Sequence, residues 1–443
     1  MALSAQLIVS ALTGHHPPHI YIGYSGGIDS HVLLHLSASI PALRHKITAV
    51  YVHHGLQPEA DAWAAHCANT AQALAVGFKL LRVEAAAKSG ESPEEAARNA
   101  RYAALKSLMG NGDALLVAQH REDQLETVLL QLFRGSGLRG LSGMPPGMEF
   151  GSGVLLRPLL EVAKQAIGDY AAAHALSWIE DPSNQCSDYD RNFLRNDIVP
   201  LLKQRWPALD KTVARSAAHC AEAQQAIAEA ADDWLGATLN PADNTLDITK
   251  LKDYPPLRQK LLIRQWLQRL GVKMPSQGLL GRILTEVLAA REDGGPVLSG
   301  PGYCIRRYRH KVYCLPPVEQ EHPLKLSDPQ GQTSWPFADQ NILVCLPASA
   351  GILRDYWENA RVELRLRGGG EKIRLPGRQG HHALKKLFQE AGIPPWERER
   401  IPLVYLDGRL AAVGERWISA EFYQERPGAC IVLAMQKLSP GIT

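Results

Sequence analysis

Two clusters of residues in this chain have types and spacings suited to chemistry on a nucleotide. Ser25-Gly26-Gly27-Ile28-Asp29-Ser30 follows a short apolar run at 21–24 and leads into a helix-like stretch. Two glycines let the backbone approach an anion closely, the hydroxyls of Ser25 and Ser30 add donors, and a helix start offers free N–H groups at the positive end of its dipole. That pattern fits phosphate or pyrophosphate. It lacks the lysine of G-x-x-x-x-G-K-[ST], so it is not the loop that serves γ-phosphate hydrolysis. The same six residues also make an ordinary βα turn with Asp29 in the first helical turn. A position after the first strand of a parallel sheet favours the ligand-binding reading, because ligands sit at the carboxyl ends of such strands.

The second cluster is His120-Arg121-Glu122-Asp123-Gln124-Leu125-Glu126-Thr127. Asp123 and Glu126 are three apart and share a helix face, while Leu129, Leu130 and Leu132 supply a buried side. Two carboxylates facing a nucleotide pocket suit Mg²⁺ or a substrate ammonium. Acidic residues in a first helical turn also complement the dipole with no further role. Further on come Arg134-Gly135-Ser136-Gly137, Arg157-Pro158-Leu159-Leu160, Asp181-Pro182-Ser183-Asn184 and Tyr189-Asp190-Arg191-Asn192-Phe193-Leu194-Arg195, which composition alone leaves as turns and a charged helix.

These clusters need a scaffold. From 19 to 134, apolar runs at 19–24, 47–53, 78–83 and 114–118 alternate with helix-like stretches at 29–37, 59–74, 93–109 and 123–133, which predicts a parallel α/β sheet with strands buried on both faces. Ser92, Pro93 and two glutamates form a good helix start. Residues 135–153 read as a long glycine-rich loop, and further helices are expected over 164–175 and 188–204. The expected domains are a nucleotide-binding catalytic domain at 1–207, a helical domain at 208–316 whose tail at 296–315 looks like hairpins, a linker at 317–340, and a small α+β domain at 341–443.

The 443 residues carry 48 Lys plus Arg against 45 Asp plus Glu, a net charge of +3, so the chain is no polycation and any basic surface must be local. That surface lies at 361–400, with ten Lys or Arg against five acids, beside Gly368-Gly369-Gly370 and Gly377-Arg378-Gln379-Gly380. Such a segment suits a polyanion, or is simply a solvated face. Seven dispersed cysteines with no C-x-x-C, no basic leader segment and no apolar run near 18 residues predict a cytoplasmic protein with no membrane span.

Ser-Gly-Gly-x-Asp-Ser resembles the signature of the ATP pyrophosphatase (PP-loop) superfamily, with its adenine nucleotide alpha hydrolase-like fold. The resemblance implies transfer of AMP, a substrate oxygen attacking the α-phosphorus. The fuller set, His54-Gly55-Leu56, Asp123-Gln124-x-Glu126-Thr127, Arg134-Gly135-x-Gly137 and the Asp181 to Arg195 block, is similar to the tRNA(Ile)-lysidine synthases over about the first 205 residues. Gly377-Arg378-x-Gly380 with Leu384-Lys385-Lys386-Leu387-Phe388 and Pro394-Pro395-Trp396 resembles that family's C-terminal domain, which contacts the tRNA acceptor stem.

The resemblance implies adenylation of the wobble cytidine of the CAU-anticodon isoleucine tRNA and ligation of L-lysine to its C2, with ATP and Mg²⁺ required and a homodimer expected. It assigns Ser25, Gly26, Gly27, Ile28, Asp29 and Ser30 to ATP, Asp29 and Asp123 to Mg²⁺, Glu126 to the lysine ammonium, and Arg191 and Arg195 to phosphate or substrate charge. Arg378, Lys385, Lys386 and Arg398 are assigned to the tRNA. Trp396 is expected in a core. Two departures stand out: Gln119 and Glu122 in a motif that is usually His-His-x-Asp-Asp-Gln, and Cys186 where an acid is usual. The rival readings are a tRNA thiolase, disfavoured by the absence of C-x-x-C, an ammonia-using synthetase, and a non-catalytic RNA-binding protein.

Overall fold

Short runs of Ile, Val and Leu bury both faces only inside a sheet flanked by helices, and residues 1–232 build one. The structure, a computed structural model, describes residues 3–55, 59–84, 93–291, 294–317, 326–327, 334–337 and 341–437. Ser92 of the expected helix start and Leu56 of the His-Gly-Leu motif lie outside them. The chain divides into two compact units, Met1–Asp232 and Asp233–Thr443.

In the first unit, helix α1 (Gln6–Leu12) precedes β1 (Ile20–Gly23), α2 (Ile28–Ala38), β2 (Ile47–His53), α3 (Ala60–Ala73), β3 (Gly77–Arg82), α4 (Pro93–Leu108), β4 (Ala114–Leu116) and α5 (Arg121–Phe133). A hairpin of β5 (Gly147–Phe150) and β6 (Gly153–Leu156) follows, then α6 (Lys164–Ala173). The strand order is β3-β2-β1-β4-β6-β5, parallel except for β5. Ile20 in β1 pairs with Ile47 of β2 on one side and Ala114 of β4 on the other. The connections diverge between β1 and β4, the switch point at whose carboxyl ends sheets of this kind bind ligands. The core beneath it includes Ile22, Leu33, Leu34, Ala49 and Leu116, all fully buried. Truncating one such leucine to alanine costs about 2–5 kcal/mol, so the strands are rigid supports.

Two expectations are corrected. β3 is an edge strand, with Leu80 36% exposed, and is not buried on both faces. The stretch read as a loop at 135–153 holds a short helix, Leu138–Leu141, and most of the β5–β6 hairpin, which turns at Gly151 with φ +63°. Its glycines mark that turn; they do not signal absence of structure.

Residues 190–205 form one helical run with a wide π turn at Leu194–Ile198, followed by α7 (Leu209–Thr238). In the second unit, the strands Leu239–Asn240, Thr245–Asp247, Lys311–Leu315, Tyr303–Tyr308 and Val297–Gly300 make a five-stranded antiparallel sheet in that order. It shares a core of Leu262, Trp266, Ile283 and Ile305 with the helices around Pro256–Arg269 and Gln277–Arg282. A second five-stranded sheet follows, packing against a long ribbon, Asn341–Leu353 with Tyr423–Lys437, through one core and against the helix Leu384–Glu390 through another. Within the stretch expected as a linker, Leu326–Ser327 and Ser334–Phe337 pair as strands of these sheets. Among the described residues no helix is long and apolar enough to cross a membrane.

Candidate active site

The loop after β1 is held in shape by its own hydroxyls. Ser30 Oγ donates to Gly27 O at 2.9 Å and accepts from Ser25 N at 3.2 Å, with Ser25 Oγ also 3.2 Å away. Gly26 has φ +82°, and a Cβ there would meet Ile179 Cδ1 at 2.5 Å, so only glycine fits. Ile179 N donates to Gly26 O at 2.9 Å, making residue 179 a strap across the loop. Gly27 ends the loop as the N-cap of α2, and Ile28 begins the helix, packing on the sheet core. Nothing in the sequence next to Ile179 signals that contact.

Asp29 sits in the first turn of α2. Its Oδ1 is buried without a hydrogen-bond partner, and its Oδ2 lies 3.8 Å from His120 Nε2. Burial raises its pKa, against the lowering pull of His120 and Lys164. His120, the N-cap of α5 and 1% exposed, is shared among three carboxylates: Asp29, Glu122 at 3.4 Å and Asp123 at 3.4 Å. Burial pulls its pKa down, and the three acids outweigh that and raise it. The His120 ring thus stands between α2 and α5, close to acids from both, a placement that spacing alone did not reveal.

Asp123 and Glu126 do share a face, and that face meets two guanidiniums. Asp123 Oδ1 accepts from Arg191 Nη2 and Arg195 Nη2, both at 2.9 Å, and Asp123 Oδ2 accepts from His120 N at 3.0 Å. Glu126, 2% exposed, accepts from Arg195 Nε at 2.7 Å on Oε1, and from Arg191 Nε at 2.8 Å and Arg195 Nη2 at 2.9 Å on Oε2. Burial works to raise the pKa of Asp123, and His120, Arg191 and Arg195 together hold it below the usual carboxylate value. Fork-shaped guanidiniums suit such paired bonding, which lysine could not reproduce.

The departure at Glu122 also has an explanation. Its carboxylate, while 3.4 Å from His120 Nδ1, also accepts from Lys164 N at 2.9 Å and Lys203 Nζ at 3.3 Å, where it faces the start of α6. Despite burial, His120, Lys164 N and Lys203 bring its pKa down to about 2. Lys203 also approaches Asp210, which accepts from Arg121 Nε at 2.6 Å. Gln119 accepts from the buried Arg157, which donates to Pro145 O as well and so holds the segment before β5. Cys186 Sγ donates to Asp188 Oδ2 at 3.3 Å. Four acids, Asp29, Glu122, Asp123 and Glu126, are thereby met by His120, Arg191, Arg195 and Lys203. Asp29 is the member with a buried oxygen left over.

In the second unit, Lys385 and Lys386 are exposed, and Arg378 is exposed beside Glu390 at 3.2 Å. Arg398 is different. It is 6% exposed, donating Nε to Ile393 O at 2.7 Å and Nη2 to Tyr308 OH at 3.1 Å, so it is bonded within the fold and, unlike the other three, is not presented on the surface. Trp396 is half-buried rather than in a core, its ring 5.1 Å from Tyr313 and 5.2 Å from the Arg306 guanidinium.

Residues 3–202 match the PP-loop domain family, residues 246–313 the TilS substrate binding domain and residues 362–435 the TilS substrate C-terminal domain. A tRNA(Ile)-lysidine synthase of Methylococcus capsulatus is 43% identical over 414 residues, covering 92% of this chain and 94% of that protein. The chain belongs to the tRNA(Ile)-lysidine synthase family. Two further tRNA(Ile)-lysidine synthases, from Alkalilimnicola ehrlichii and Photobacterium profundum, are each 40% identical over 92% and 93% of this chain and 91% and 94% of theirs. As a member of the lysidine synthase family, the chain is an enzyme, a ligase built on a PP-loop ATP-binding domain.

Proposed function

We propose that this ligase adenylates the wobble cytidine of the CAU-anticodon isoleucine tRNA with ATP and then joins L-lysine to its C2, forming lysidine and releasing AMP and pyrophosphate. The observation that carries this reading is the meeting, through Asp29 and His120, of an anion loop with a buried cluster in which cations already occupy the carboxylates. The family membership supports the substrates.

In this reading the loop at Ser25–Ser30 holds the pyrophosphate portion of ATP, with Gly26, Gly27 and the start of α2 presenting N–H groups. The O2 oxygen of cytidine attacks the α-phosphorus and pyrophosphate leaves. The lysine amine then attacks C2 and AMP departs. Asp29 and Asp123 are the residues to hold Mg²⁺: hard carboxylate oxygens suit that ion, and the buried, unpartnered Oδ1 of Asp29 fits such a role. Bound there, Mg²⁺ would offset the charge that develops on the leaving group.

Glu126 is the residue to receive the lysine ammonium. Two guanidiniums now occupy both its oxygens, so the ammonium would take the place of one of them and free it to face phosphate. Arg378, Lys385 and Lys386 are the residues to meet the tRNA backbone. The protein would act in the cytoplasm, where its seven free cysteines suit a reducing medium, and, following the resemblance, as a dimer.

The test is transfer of radiolabelled lysine to an unmodified CAU-anticodon isoleucine tRNA transcript, with methionine tRNA as the control. Label on the isoleucine tRNA alone is expected. Pyrophosphate release with a different acceptor, and no lysine transfer, would replace this reading with another adenylating activity.

A further inference from the structure

The Asp181-Pro182-Ser183-Asn184 turn and the asparagines of the following helical run have no place in the reaction just set out, yet they are bonded to one another. Asp181 Oδ1 accepts from Ser183 N at 2.9 Å and shapes the turn. Asn192 Nδ2 donates to Ser183 O at 3.0 Å and to Cys186 O at 2.9 Å, while Asn196 Nδ2 donates to Asn184 O at 3.0 Å. Asn192 adjoins Arg191, and Asn196 adjoins Arg195. Each arginine that grips the carboxylates is therefore followed by an asparagine that grips the turn.

Two residues before the turn, Ile179 lies on Gly26 and is bonded to its carbonyl. A continuous path of bonds thus runs from the phosphate loop through residues 179–186 to the helical run and on to Asp123 and Glu126. A long arginine has many rotamers, and only those that start from a correctly placed Cα bring the guanidinium fork onto both carboxylates, so the position of the helical run decides whether the bonds form. The asparagine amide meets this need, since its two N–H groups suit two carbonyls in a way that an aspartate, an acceptor at neutral pH, would not.

We propose that Asn192 is a positioning residue of this enzyme: by pinning the helical run to the Ser183 and Cys186 carbonyls, it sets the two guanidiniums against Asp123 and Glu126 and ties them to the phosphate loop. Asn196 does the same from the more exposed side. The proposal rests on the reading that Arg191 and Arg195 serve the reaction.

The experiment is a double-mutant cycle on lysidine formation by the full chain under single-turnover conditions, with Asn192→Ala, Arg191→Lys and the pair. Asn192→Ala alone should slow lysine transfer about tenfold or more, with tRNA affinity within about twofold of the unaltered chain. In the Arg191→Lys background the same change should cost less than about twofold, because the geometry it protects is already lost. A merely structural asparagine would give losses that multiply in full, and that result, or an unchanged rate for Asn192→Ala, overturns the proposal.

Should Asn192→Ala not fold, Asn196→Ala is the replacement, with a loss of about three- to tenfold and the same non-additivity against Arg195→Lys expected. If the unaltered chain makes no lysidine, the functional reading fails instead. The cycle is then run on affinity for a non-hydrolysable ATP analogue, where additivity would again sink the positioning role.

Discussion

Arg191 and Arg195 in the first unit, and Arg378, Lys385 and Lys386 in the second, bear the same formal charge in different media. The first pair is mostly buried and locked to two carboxylates by five bonds of 2.7–2.9 Å. The second set is exposed, and the ion pair of Arg378 with Glu390 is about half-exposed on both sides. A buried pair resists screening and becomes costly when one partner is removed, whereas an exposed pair contributes about 0–1 kcal/mol. The contrast suggests a division of labour. Under the proposed function, charge that must stand at one point during the reaction is desolvated and held, and charge that would collect the tRNA is left in water to exchange its counterions.

The largest effect that would sharpen this contrast is expected from Asp123→Asn. Lysine transfer should fall by about a thousandfold, on the scale of removing one preorganised electrostatic partner, while tRNA affinity in a filter-binding assay stays within about twofold. An equal loss of tRNA affinity would erase the division. Next in size, the triple change Arg378→Ala, Lys385→Ala and Lys386→Ala should weaken tRNA binding about tenfold or more at physiological salt. It should also lower the salt slope by about two to three units while leaving affinity for an ATP analogue unchanged. Arg398 provides the internal control. As a buried cation bonded to Ile393 O and Tyr308 OH, Arg398→Ala should lower stability by about 1–3 kcal/mol in denaturant melts, with the salt slope of tRNA binding retained.

The smallest expected effect concerns pH. Burial pushes the pKa values of His31 and His35 down, and that of His54 down to about 4, all in the first unit. Between the ordinary histidine value near 6.5 and those lowered values, the unfolded chain binds more protons than the folded one. The contribution of these three histidines to stability is therefore full above pH 6.5 and declines as pH falls towards about 4, while His120, whose pKa is raised, contributes with the opposite sign. Melting temperature should drop between pH 7 and pH 5, and His54→Asn should flatten part of that drop. Glu122 does not contribute in this window, because its stabilising bonds weaken only below 4.5, towards about 2.

Legibility in the sequence divided along the same physical line. The Ser25–Ser30 loop, the parallel alternation of β1 to β4 and the shared face of Asp123 and Glu126 were all readable, because each is set by neighbours within one turn or one strand. The partners of those carboxylates were not readable from spacing. Arg191 and Arg195 are 65 to 72 residues away, and only the fold brings them in. Arg398 was misread for a related reason: in a basic segment, composition cannot show which arginine the chain folds over. The β5–β6 hairpin was hidden by glycines that serve a turn at Gly151 and close packing at Gly153, where a Cβ would meet the Asp113 carbonyl oxygen at 2.1 Å.

The π turn at Leu194–Ile198 gives the helical run around it a phase problem and its solution at once. A residue accommodated in a wider turn shifts everything downstream by about 100° relative to a regular α-helix. Upstream of the turn stands Arg191, aimed at Asp123 and Glu126; downstream stands Lys203, aimed at Glu122 and Asp210. One rod thus addresses two acidic targets in two directions. A single-residue deletion at Asp197, which touches neither target and accepts from Ser187 Oγ at 2.7 Å, would turn the wide turn into a regular one and leave one set of teeth out of mesh.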